Sequence, residues 1–171
     1  LAQRMGCDEA MADRIQKAIL GKFALLDRWI QESLARGRRE GGAWSWWAGQ
    51  DARFRPLTPI GNQGDDDKGA RGSAERSSWN TRIQSTGSDF CTASIVAVVK
   101  WILAENIPAR LILTVHDSLL LEVREDWLVR VAAKVKAVME SWPAQGVPII
   151  ADLKTGYAWG SMEEYHLKMA A

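Results

Sequence analysis

Apolar residues recur at helical spacing in the first fifth of the chain. "DEAMADRIQKAILGKFALLDRWIQESLAR" places Met11, Ile15, Ala18 and Ile19 on one face, and Leu25, Leu26, Trp29 and Ile30 continue the pattern after Gly21. The spacing predicts two helices over residues 8–35, with Asp8 as N-cap, Glu9 in the first turn and Gly37 as the stop. The period then fails. Residues 37–72 are rich in Gly, Trp and Arg and contain Pro56 and Pro59, which predicts an irregular stretch with a short hairpin over 44–55 and a flexible acidic loop at 61–69. Helical spacing returns at Ser73, a candidate cap for a helix over 73–84, and a long, largely buried helix is predicted over 88–105. "ARLILTVHDSLLLEVRED" reads as strand, turn, strand. "DWLVRVAAKVKAVMESW" is an amphipathic helix with Leu128, Val131, Val135 and Val138 inward, and "GVPIIADLKTG" reads as a last short strand. There are no internal repeats. This order predicts an α+β fold, helices packed on a small antiparallel sheet whose hairpin carries a His-Asp pair.

Composition narrows the class only slightly. A chain of 171 residues with 47% hydrophobic and 25% charged residues has enough material for one core. Net charge is +1, so the chain as a whole announces no polyanionic partner. Its distribution says more: residues 36–82 hold nine Lys/Arg against six Asp/Glu, and three of those six are the run Asp65, Asp66, Asp67. Cys7 and Cys91 are far apart and lack metal-ligand company, which argues against a disulfide framework or a zinc site and for a reducing compartment. No apolar run approaches the roughly 18 residues of a membrane span, and no signal-peptide pattern is present. The chain opens on Leu1 rather than Met, which suggests a processed product or a fragment.

Two constellations could carry chemistry. Arg76, Asn80 and Gln84 fall at i, i+4 and i+8 and so line one helix face. Such a donor stripe suits the minor groove of a duplex, where every base pair offers an N3 or O2 acceptor whatever the sequence. A solvated polar face fits the spacing equally. In "LILTVHDSLLLEV" two apolar runs are interrupted only by His116, Asp117 and Ser118. A plain hairpin turn accounts for this, because Asp tolerates turn conformations. So does a carboxylate held rigidly at a strand end to bind Mg²⁺, a hard cation that takes one or two carboxylates plus substrate phosphates. Two-metal phosphoryl transfer needs at least two such carboxylates, and only Asp117 is well placed. The acidic run 65–67 reads as a solvated turn. Trp44, Trp46 and Trp47 among Arg38, Arg39, Arg53 and Arg55 suit either core packing or stacking on nucleic acid. His166 reads as a surface residue.

With these pieces in order, the chain resembles the C-terminal, palm-side portion of a family A (Pol I-like) DNA polymerase, in a form compatible with a phage-type or split enzyme. "AERSSWNTRIQSTGSDF" is similar to the family's AER-x-x-x-N-x-x-x-Q-G-T-A-x-D segment, "LTVHDSLLLEV" to motif C, and "VPIIADLKTGYAWG" to the terminal strand and Gly-x-x-Trp ending. "GRREGG…RFRPL" fits loosely the GR-rich segment before the palm. On this resemblance the chain divides into a helical segment after motif B (1–36), a Gly/Trp/Arg-rich irregular segment (37–72), a palm with motif C (73–160) and an unmatched tail (161–171), an incomplete palm in all.

The resemblance implies roles by position. Asp117 is expected to be a catalytic Mg²⁺ ligand and His116 to touch the primer terminus. Arg76, Asn80 and Gln84 are expected to line the minor groove of primer–template DNA. The implied reaction is two-metal addition of dNTPs to a primer 3′ end, inside the cell: cytoplasmic or nucleoid-associated, in the host cytoplasm if viral, with no membrane partner. Ser118 stands where the family often has Glu, and Ser85 and Gly87 replace Gly and Ala. Motif A, with the other aspartate, and motif B, with the nucleotide-binding Lys and Tyr, are absent. The expectation is therefore a chain inactive alone, needing an N-terminal part that supplies both, as a separate chain or a missing segment. A duplex-binding module without catalysis is the alternative.

Overall fold

In the computed structural model, residues 6–47, 50–57, 68–144 and 146–167 are described. The acidic run 65–67, and with it most of the loop expected at 61–69, lies outside them. The first helix, α1 (Glu9–Lys22), starts where its cap predicts: the Asp8 carboxylate accepts the Met11 N–H at 2.7 Å. After Phe23, α2 (Ala24–Glu40) runs through Gly37 and stops at Gly41 instead. Gly41 adopts φ +70°, the left-handed cap that glycine takes without a Cβ penalty, and its N–H donates to the Gly37 carbonyl. The predicted apolar face of these helices is not buried. Met11, Ile19, Phe23 and Leu26 are exposed and Leu25 is 78% exposed, while the buried positions are the small residues Ala12, Ser33 and Gly37.

Strands β1 (Gly42–Trp47) and β2 (Gln50–Pro56) pair as the predicted hairpin. The two helices expected over 73–84 and 88–105 are one, α3 (Lys68–Ala104), so Ser73 is an interior residue and not a cap. Ser, Thr and Gly at 85–88 are weak helix formers, but packing outweighs propensity here: Ser85 is buried and the Thr86 hydroxyl accepts the Trp46 N–H at 2.7 Å. Within Gly72–Ala104 the mean hydropathy of an 18-residue window reaches 1.4, so one helix is long and apolar enough to cross a membrane. Thr92, Ser94 and Lys100 interrupt its apolar run in the sequence. The same helix sends Val98 and Ile102 into a protein core.

The rest follows the predicted order: β3 (Ala109–Val115), β4 (Ser118–Val123), a 3₁₀ turn (Glu125–Trp127) and α4 (Leu128–Glu140). The last strand does not form over 147–153. Only β5 (Lys154–Thr155) pairs, with β6 (Glu163–Glu164), and Ile150 is 74% exposed. Residue 151 is instead held by side chains of α4: Glu140 Oε1 accepts the Ala151 N–H at 2.9 Å, and the Lys136 ammonium donates to the Ala151 carbonyl. The result is an α+β fold with, among the described residues, three two-stranded sheets.

The chain divides into two compact units, Leu1–Trp44 with Phe54–Arg82, and Ser45–Arg53 with Ile83–Ala171. In the second unit Val98, Ile102, Ile107, Val131 and Val135 form the core, and Ala109, Leu119, Leu121, Val123 and Trp127 pack against it. The β3–β4 ladder contains an irregularity: Leu111 faces Leu121, Leu113 faces Leu120, and Ile112 has no opposite number. Directly opposed residues share a face. The bulge therefore shifts the phase, and Leu113 with Leu120 lie on the face away from Leu119 and Leu121.

Candidate nucleic-acid and metal site

The apolar strands β3 and β4 are joined by two residues, His116 and Asp117, both exposed. His116 has φ +55° and Asp117 does not have positive φ. Positive φ at the first central residue alone is the II′ pattern, whose twist matches that of the flanking strands. The turn is tied down from two sides. Ser118 Oγ donates to the Val115 carbonyl at 2.8 Å, and the Cys91 thiol, buried on α3, donates to the His116 carbonyl at 3.8 Å. Burial pushes the Cys91 thiol up from its ordinary pKa, and the nearby Asp117 charge adds to the effect, so the sulfur keeps its proton.

Asp117 thus offers an exposed, hard oxygen donor on a two-residue turn, which fits one ligand position of Mg²⁺. Among the described residues no group of three or more His, Cys, Asp or Glu converges. The chemistry of this donor set suits a cation shared with other ligands.

Arg76, Asn80 and Gln84 are all exposed on α3. Arg76 and Asn80 belong to the first unit, and Gln84, His116 and Asp117 to the second. A Cβ at Gly72 would lie 3.3 Å from Nη1 of Arg76, so this guanidinium folds back over the preceding turn of the helix.

The tryptophans resolve largely into packing. Trp44 lies 5.0 Å from the Phe54 ring and donates to Glu40 at 2.9 Å. Trp47 lies 5.1 Å from Phe90 and 5.4 Å from Trp142, whose Nε1 donates to the buried Ser94 hydroxyl at 2.7 Å. Of the four arginines around them, Arg38 pairs with Glu75, Arg39 with Glu40 and Arg53 with Asp89. Three of these arginines are thus in ion pairs, and Trp44 and Trp47 make tilted ring contacts. His166 is exposed, as expected. Cys91 was missed by sequence reasoning, because its contact with the turn spans 25 residues and nothing local marks it.

Known proteins place this geometry in context. The family model for DNA polymerase family A matches residues 1–161. DNA polymerase I of Pseudomonas aeruginosa is 36% identical over 89 residues, covering 52% of this chain and 10% of the relative. The thermostable DNA polymerase I of Thermus thermophilus is 34% identical over 137 residues, covering 80% of this chain and 15% of the relative. Among solved structures, the POL domain of Pol1 from M. smegmatis, in complex with DNA primer-template and dNTP, superposes with a TM-score of 0.74 at 24% identity, covering 86% of this chain and 25% of that one. The fold is therefore shared with a polymerase domain, although the chain spans only a small part of the length of these relatives. With a family match that runs from residue 1 to residue 161, the chain belongs to the family A DNA polymerases.

Proposed function

We propose that this chain is the palm-side part of a template-directed DNA polymerase and presents Asp117 to the primer end. The observation that carries the reading is the His116–Asp117 turn, an exposed carboxylate on a short, doubly anchored hairpin in a chain of this family. Asp117 would hold Mg²⁺, in a site of two ions whose further carboxylate comes from an N-terminal polymerase part carrying motifs A and B. When bound, Mg²⁺ neutralises phosphate charge and lowers the barrier to attack by the primer 3′ oxygen on the α-phosphate of a dNTP.

The protein's own share is positioning. Asp117 supplies fixed negative charge, and His116, the preceding residue on the turn, would contact the primer terminus. Arg76, Asn80 and Gln84 would donate to groove acceptors that every base pair shares, checking duplex geometry without reading sequence. The solved relative's complex with primer-template and dNTP supports these partners for this chain too. A single aspartate cannot form a two-metal site by itself, so the chain alone should not extend a primer.

The decisive experiment is primer extension by this chain combined with an N-terminal part supplying motifs A and B, with and without Asp117→Asn. Near-total loss of extension with primer–template binding retained is the expected result. Robust synthesis by the chain alone would refute the dependence on a second part. Duplex binding with no extension under any combination would favour the non-catalytic binding module.

A further inference from the structure

His116 stands in a left-handed conformation without being glycine. Such residues cost on the order of 1–3 kcal/mol and persist only where neighbours over-determine them. The carbonyl of His116 and the N–H of Asp117 belong to one rigid peptide plane. Turns of types I′ and II′ differ by a flip of this plane, which changes φ of the second residue from negative to positive. Asp tolerates positive φ, so nothing in the two turn residues themselves forbids the flip. Ser118 cannot forbid it either, since its hydroxyl grips the carbonyl one residue earlier, that of Val115. The contact made to the plane itself is the Cys91 thiol on the His116 carbonyl.

We propose that Cys91 is a positioning residue for Asp117, its thiol holding the 116–117 peptide in the II′ orientation and so fixing where the carboxylate points. This rests on the polymerase reading above only for its consequence in catalysis; the hold on the turn stands without it. Cys91 is buried on α3, a helix that also supplies Val98 and Ile102 to the core, so the donor itself is anchored.

The test is a pair of substitutions, Cys91→Val, which fills similar volume without a donor, and Cys91→Ala. On the chain itself, the nuclear Overhauser pattern of the turn reports the peptide orientation: a strong cross-peak between the His116 and Asp117 amides for I′, and none for II′. Both variants should gain the amide–amide signal. In the assembly with the N-terminal part, kcat should fall between about 5- and 100-fold, the cost of an ångström-scale misplacement, with KM for dNTP little changed. A wild-type turn pattern in Cys91→Val would overturn the proposal and assign Cys91 a space-filling role. A flipped turn with unaltered kcat would overturn the link to Asp117. If the wild-type assembly itself does not extend a primer, the polymerase reading fails and takes that link with it, a result recognisable because the control is silent.

Discussion

Replacing Glu140 with alanine should loosen residue 151 before anything else. In the folded chain Oε1 of Glu140 takes the Ala151 N–H at 2.9 Å and the Lys136 ammonium at 2.6 Å, while the same ammonium donates to the Ala151 carbonyl. Ala151 is buried, so its amide has little water to turn to when the acceptor leaves. A hydrogen bond to a charged group contributes about 1.5–3 kcal/mol. The Glu140 side chain is 29% exposed, which screens its charge and brings the expectation down to about 1–2 kcal/mol. At about 1.4 kcal/mol per decade, exchange of the Ala151 amide should quicken roughly 5- to 30-fold. Amides of Val131 and Val135, in the core of α4, should not change. Amide exchange followed by NMR reads both.

The Ala151 N–H first, and Lys136 second, hold the Glu140 carboxyl below its ordinary pKa. A carboxyl depressed in the folded state stabilises fully above its unfolded pKa and loses that contribution as pH falls through the folded value. Wild-type protection at Ala151 should therefore decay toward the variant's only in acid. Glu140→Gln, which keeps an acceptor without charge, should fall between. Unchanged Ala151 exchange in Glu140→Ala would refute the idea that this side-chain clamp holds the segment in place of a strand ladder.

Other outcomes follow from the same structure. Val98 is 0% exposed, and Val98→Ala should lower the unfolding free energy of the second unit by about 2–3 kcal/mol, two methylene equivalents plus the residual cavity, measured by urea titration. Gly42→Ala should destabilise the first unit by about 1–3 kcal/mol, because a Cβ there would run into the Phe54 ring and the Arg55 carbonyl; thermal melting checks it. Arg76→Ala and Gln84→Ala should weaken primer–template binding about equally across unrelated sequences, by fluorescence anisotropy, with cation binding at Asp117 unaltered. Sequence-selective loss would count against the minor-groove role.

Local rules were legible in the sequence and long-range ones were not. Helical periodicity located α1, α2 and α4, and Asp8 marked a helix start that the structure keeps. Two apolar runs around a polar interruption located the His116–Asp117 hairpin. The reading failed where another part of the chain decides. Gly37 looked like a stop, but the left-handed cap falls to Gly41, four residues on. Two helices were expected over 73–84 and 88–105, yet α3 is continuous, and the Trp46 N–H on the Thr86 hydroxyl helps it run through. Val147 and Ile150 have a strand's composition, but a strand needs a neighbour, and among the described residues the segment meets Glu140 and Lys136 instead. The candidate metal ligand was visible as a residue. Its support by Cys91 was not, since a buried thiol 25 positions away carries no local signature.

The bulge at Ile112 also changes how the hairpin should be read. Written out, Leu111, Leu113 and Val115 suggest one apolar side and one wet side. The slipped ladder distributes them across both, like a reading frame displaced by one letter. The face away from the core thus carries Leu113 and Leu120 beside the exposed Arg110–Glu122 pair. Any layer laid over Leu113 and Leu120 would lower the dielectric beside Asp117 without touching it. The carboxylate would then attract a cation more strongly than its exposed position here suggests, with no ligand added.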